Sequence, residues 1–232
     1  MAGTALIVGA GSGISASFAR LLAKNGYRVA LAARTGAGTE ALCKETGAKL
    51  YTCDAKEPAQ VAALFAKVDA DFGALDVVLY NPSARVRGSI LDVDAAEVAN
   101  AIAVSAYGGF LVGQQAARRM VERGSGAILF TGASASVKGY AMSAPFAMGK
   151  FALRGLAQSM ARELAPKGVH VAHFVIDGGV QNTAKGRTER EGAGPDSMLD
   201  PDAIAETYLY VANQPRTAWT WEVELRPWVE KF

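Results

Sequence analysis

Residues 4–15 read T-A-L-I-V-G-A-G-S-G-I-S. The apolar run 5–8 has the length and composition of a buried strand. Glycines at 9, 11 and 13 follow at once, and an amphipathic stretch, 14–25, follows them. Glycine tolerates positive φ and lets backbone approach closely. A helix that opens on such a loop offers free N–H groups to a pyrophosphate. Gly9, Gly11, Ser12, Gly13 and Ile14 are therefore candidate cofactor contacts. The usual dinucleotide fingerprint would want a third glycine at 14, where isoleucine stands. Tight-turn glycines with no ligand are the alternative.

The same strand-then-helix unit repeats outward from this stretch. Runs 28–33, 50–53, 76–80, 127–130 and 169–176 read as further buried strands, and 39–46, 58–72, 94–122 and 145–165 as helices between them. One helix per crossover implies an α/β fold: a Rossmann-like, doubly wound parallel sheet in three α/β/α layers. A helix over 202–213 and a last strand over 219–226 complete one domain, 1–232. Segment 181–200 is the one long loop, and is either a substrate-side lid or a plain connection.

A chain of 232 residues with half of them hydrophobic is long enough for one large core. The net charge of +2 is spread out, and Arg118-Arg119 and 185–190 read as solvated faces, so no nucleic-acid partner is expected. Cys43 and Cys53 lack the histidines of a metal site and read as reduced thiols. No secretory leader is visible at the N-terminus, and apolar runs such as 77–80 and 174–176 are too short to span a membrane. A cytoplasmic location is expected.

The second strand ends L-A-A-R-T without an acidic residue before Glu40. A carboxylate there would bind the ribose hydroxyl of NAD, whereas an arginine nearby accommodates the 2′-phosphate of NADP. Arg34 thus points to NADP(H) over NAD(H), with an ordinary surface arginine as the other reading.

Later motifs carry a resemblance: D-V-V-L-Y-N-P-S (76–83), S-A-Y-G-G-F (105–110), G-A-I-L-F-T-G-A-S (126–134), F-A-M-G-K-F-A-L-R-G-L-A-Q-S-M-A-R-E-L (146–164) and V-A-H-F-V-I-D-G-G-V (171–180). In this order they are similar to the short-chain dehydrogenase/reductase family, and so is the glycine loop, with Ser15 at the family's third glycine. The resemblance runs from residue 4 to about 180 and implies an oxidoreductase. It implies that Asp54, with Ala55 beside it, meets the adenine, and that Asn81 lies at the cofactor. Asp54 serves equally as a turn residue. Asp177, Gly178 and Val180 would fall in the turn that covers the nicotinamide, with Asp177 either bonding its amide or capping the turn.

Family members donate a proton from a tyrosine, helped by a lysine, a serine and an asparagine. Carried over, the lysine is Lys150, which also holds the nicotinamide ribose. The tyrosine position is Phe146, which has no proton to give. The serine position is Ala133, with Ser134 beside it, and the asparagine position is Ser105. Tyr140 either supplies a phenol from a new direction or walls the pocket. Lys150 is itself an acid if burial lowers its pKa. His170 and His173 read as structural. The chain reads as an NADP(H)-dependent oxidoreductase acting on a small carbonyl, imine or related substrate with a non-standard proton donor. The alternative is a degenerate NADP(H)-binding sensor or assembly subunit, which a pocket plugged by Phe146, Met142 and Met148 would favour. The resemblance also implies a homodimer or homotetramer through the fourth and fifth helical stretches, 94–122 and 145–165. The aromatic C-terminal stretch W-T-W-E-V-E-L-R-P-W (219–228) reaches a neighbour or the pocket, or is an edge strand.

Overall fold

The computed structural model describes residues 3–36, 38–189 and 191–230. Its strands are β1 (Thr4–Val8), β2 (Arg28–Ala33), β3 (Lys49–Thr52), β4 (Val77–Tyr80), β5 (Gly126–Thr131), β6 (Val169–Ile176) and β7 (Glu222–Leu225). All pair in parallel in one sheet ordered β3-β2-β1-β4-β5-β6-β7. Strand order reverses between β1 and β4, which opens a crevice at their carboxyl ends. β4 and β6 are buried along their whole length, because helices cover both sheet faces.

The helices are α1 (Ile14–Lys24), α2 (Glu40–Thr46), α3 (Pro58–Phe72), α4 (Ala95–Ile102), α5 (Gly108–Arg123), α6 (Ala144–Leu164) and α7 (Pro201–Ala212). One core lies between the sheet and α3, α5 and α6, around Phe65, Val112, Phe130 and Leu153. The other lies under α1, α2 and α7, around Phe18, Leu31, Phe174 and Tyr208. Local chemistry fixes the helix starts. Asp94 caps α4 by accepting from Glu97 N, and Asp200 accepts from Asp202 N with Pro201 next to it.

Four expectations need correction. The helix expected over 94–122 is interrupted by a π turn, Ala103–Tyr107, between α4 and α5. The hydroxyl of Tyr80 donates to the Val104 carbonyl inside that turn. Gly108 leaves the room for it, since a Cβ there would run into that hydroxyl and lie 2.8 Å from Ala55 O. Second, the helical length Ala95–Arg123, π turn included, is, at 29 residues, long and apolar enough to cross a membrane by length and composition alone. Short apolar runs hid this, and Val112, Ala116 and Met120 of this length are buried in the core. Third, the last strand is Glu222–Leu225 rather than 219–226, because Trp219 turns away to stack on His170 with ring centroids 4.7 Å apart. Fourth, Arg119 is not merely solvated: it pairs with Asp69 at 2.7 Å and lies over the Phe65 ring.

Candidate active site at the carboxyl ends of β1, β4 and β5

Gly9 leaves β1 with φ +87°, and a Cβ there would stand 2.7 Å from the Pro82 backbone nitrogen. The turn after β1 and the chain leaving β4 therefore touch across the crevice. Ser15 locks this contact: its hydroxyl donates to Gly9 O (2.9 Å) and accepts from Asn81 Nδ2 (2.8 Å). A glycine at 15 would make neither bond. Gly11 has no atom within 4 Å of where a Cβ would sit, and no side chain caps the N-terminus of α1. An open backbone loop on an uncapped helix start fits a pyrophosphate. Ser12 donates to Asn182 Oδ1 (3.1 Å), which ties this loop to segment 181–200.

Arg34 is exposed just past β2, and among the described residues no carboxylate pairs with it. Asp54 forms a local turn, accepting from Lys56 N at 3.3 Å, while Ala55 beside it is buried. These positions flank the same strand ends as the glycine loop.

Lys150 is only 2% exposed. Its ammonium donates to the Thr131 carbonyl at the end of β5, 2.8 Å away. Burial pushes its pKa down to about 8. Ser105, in the π turn, is buried, and its hydroxyl accepts from Ala84 N at 3.4 Å. α6 packs so tightly on that turn that a Cβ at Gly149 would lie 2.8 Å from Ser105 Cβ. Phe146 is half-buried one helical turn before Lys150. Met142 and Met148 are both about half exposed, at 53% and 52%. Tyr140 is also exposed, at 46%. Ser134 opens the short 3-10 turn Ser134–Ser136.

Asp177 is held by two cations, Lys138 at 3.2 Å and Arg226 at 2.9 Å. Those pairs direct its carboxylate to the loop after β5 and to the end of β7. Gly178 and Val180 follow it, and Val180 bridges to Leu199. Segment 181–200 is closed at its neck: Leu199 N donates to Gly179 O (2.7 Å) and Gln181 N to Leu199 O (2.9 Å). It contains a 3-10 turn, Thr183–Lys185; position 190 of the expected lid lies outside the described residues.

Two features escaped the sequence reading. The first is a partly buried chain of bonds. Arg154 grips Glu222 with two hydrogen bonds (2.6 and 2.8 Å), Glu222 accepts from His173 Nδ1 (3.1 Å), and Ser136 Oγ lies 3.3 Å from His173 Nε2. Burial lowers the His173 pKa to about 4 despite Glu222, so its ring is neutral near pH 7. Ser136 then donates to Nε2 while accepting from Ala133 N at 3.1 Å. The order serine–histidine–carboxylate resembles a hydrolytic triad, but Ser136 is fully buried, so the chain fixes the loop after β5 rather than attacking a substrate. No local signal pairs His173 with a glutamate 49 residues later on an edge strand. The second is Arg85, whose guanidinium lies 5.3 Å from the centroid of the Phe146 ring. Its signal was present: N-P-S-A-R-V-R begins at the carboxyl end of the fourth strand, where the crevice lies.

The profile of the short chain dehydrogenase family matches residues 3–193. A short-chain dehydrogenase structure from Rhodopseudomonas palustris superposes with a TM-score of 0.84 at 34% identity, over 98% of this chain and 100% of the other. The structure of a metagenomic short-chain oxidoreductase in complex with NADP gives a TM-score of 0.84 at 27% identity, over 97% of each chain. D-threitol dehydrogenase of Mycolicibacterium smegmatis is 27% identical over 223 residues, 90% of this chain and 85% of its own. The chain belongs to the short-chain dehydrogenase family, and so to a class of NAD(P)-dependent oxidoreductases.

Proposed function

We propose that this chain is an NADP(H)-dependent oxidoreductase that moves a hydride to or from a small carbonyl, imine or related substrate, with Lys150 in place of a tyrosine as proton donor. The observation that carries this reading is Lys150 itself. A buried ammonium that, among the described residues, donates to one acceptor, the Thr131 carbonyl, has donors left for a ribose and for a substrate oxygen. The glycine loop, Ser12, Ile14 and Asn81 would hold the dinucleotide, Arg34 its 2′-phosphate, Asp54 and Ala55 its adenine side, and Gly178 and Val180 its nicotinamide end. The cofactor supplies the hydride; the protein orients it, excludes water and manages the proton. Ser134 and Tyr140 lie in the connection between β5 and α6 and would orient the substrate oxygen, with Ser105 supporting the loop after β4. An imine substrate suits this site, because hydride addition to an iminium leaves a neutral amine and needs no strong acid. We place the protein in the cytoplasm, where Cys43 and Cys53 remain free thiols.

Fluorescence titration with NADPH and with NADH tests the cofactor reading. NADPH is expected to bind at least about tenfold more tightly, and Arg34→Leu to remove most of that difference by deleting a charge-assisted phosphate contact. Equal affinities would overturn the NADP preference. Absence of binding by both nucleotides would overturn the oxidoreductase reading. Light scattering on the same sample is expected to give two or four chains, joined through α5 and α6, where Phe110 and Phe151 are exposed; a monomer mass would remove that assembly.

A further inference from the structure

Phe146 cannot donate a proton, yet it supports another charged group. The Arg85 guanidinium lies over its ring, 5.3 Å from the centroid, within the range of a cation–π contact. A phenyl ring offers no lone pair, so this contact leaves the hydrogen-bonding capacity of the guanidinium unused. Its five N–H donors lie in its plane and stay available at the edge, in the fork that suits a carboxylate. Arg85 is exposed, and among the described residues no carboxylate takes up that fork.

The backbone beneath Arg85 is fixed on both sides. Ala84 N donates to the buried Ser105 Oγ (3.4 Å), and Gly88 N donates to Met142 O (3.1 Å). Asn81 N donates to Val8 O (2.9 Å), and Pro82 packs on Gly9. This loop therefore joins the glycine turn, the π turn and the loop that leads into α6. An arginine on such a support is oriented before any ligand arrives, which reduces the entropy lost on binding.

We propose that Arg85 is the anchor for a carboxylate of the substrate, so that the substrate of this site is a small organic acid rather than a neutral alcohol or ketone. The inference rests on the oxidoreductase reading for the word substrate, and on Arg85 and Phe146 alone for the anion. Phe146 is then a platform: the residue that removes the usual proton donor holds the recognition group instead.

The test is calorimetric titration of the purified protein, with and without NADPH, using sodium oxalate, sodium acetate and inorganic phosphate. Wild type is expected to bind the carboxylates saturably. Arg85→Gln should weaken oxalate at least tenfold, as loss of a charge-assisted bidentate contact does. Phe146→Leu should weaken it severalfold, by loss of the stacking platform. NADPH affinity should stay the same in both variants. Oxalate binding that is absent, or equal in wild type and Arg85→Gln, overturns the proposal. So does binding of phosphate in preference to both carboxylates. If NADPH fails to bind while oxalate binds through Arg85, the oxidoreductase reading falls and the anion site stands. If NADPH binds and no carboxylate does, the reverse holds.

Discussion

Lys150 carries its charge where burial disfavours it, and that makes it measurable. With a pKa near 8, it is still protonated at neutral pH but gives its proton up far more readily than an exposed lysine. If it is the acid in NADPH-driven reduction, kcat/KM should be level below pH 8 and fall about tenfold per pH unit above it. In the oxidative direction the limb should invert. Lys150→Met should lower kcat by about 100-fold or more and abolish that limb. Lys150→Arg should not restore it, since a guanidinium stays charged. A rate unchanged by these substitutions removes Lys150 from the chemistry. Linkage adds a second signature. The folded pKa of about 8 lies below the model-peptide value of 10.5. Between these values the unfolded chain holds the extra proton, so stability rises with pH through this window, by roughly 3 kcal/mol from this group alone. Lys150→Met should flatten that rise in urea unfolding curves.

At the scale of elements, the π turn and β4 act as a pair. The residue at 80 is tyrosine, and its hydroxyl reaches the Val104 carbonyl through the space left by Gly108. Tyr80→Phe strands a buried carbonyl and should cost about 1–3 kcal/mol in chemical denaturation. It should also raise KM, because the loop on Ser105 loses a firm base; an unchanged melting curve would mean that water takes the hydroxyl's place. This pairing marks where the sequence stopped being legible. The elements themselves could be read: 28–33 and 169–176 match β2 and β6, and 58–72 matches α3, since apolar runs and Pro58 are local signals. The interruption at Ala103–Tyr107 has no local signal, because its partner sits on a strand more than twenty residues earlier. The site divides in the same way. Lys150 and the glycine loop announce themselves within a few residues. The bond from Glu222 to His173 and the seat of Arg85 on Phe146 exist only once distant segments meet. Asp177 could not be read from its turn either, for both cations that hold it come from elsewhere in the chain.

At the scale of the whole molecule, the sheet edge and the last helix close the fold. α7 buries Ile204, Ala205, Tyr208 and Val211 in the second core, and Tyr208 packs on Phe174 and Phe18. β7 is held by its pairing with β6 and by Glu222 on Arg154. α7 and β7 are thus attached to the rest by packing as well as by the chain. The neck of that segment, Gly179 and Gln181 against Leu199, belongs to the folded body, while Lys185 and Arg187 on its arc are exposed. Brief trypsin treatment should therefore cut the arc first and give two fragments on a denaturing gel. Under native conditions the same sample should migrate as one particle with its NADPH affinity intact; separation of the fragments would show that the peptide bond, not the packing, holds α7 in place. If the fragments stay together, covalent continuity at 185–187 is dispensable to the architecture, and this arc becomes a place where a foreign segment or a circularly permuted terminus can be inserted without rebuilding the core.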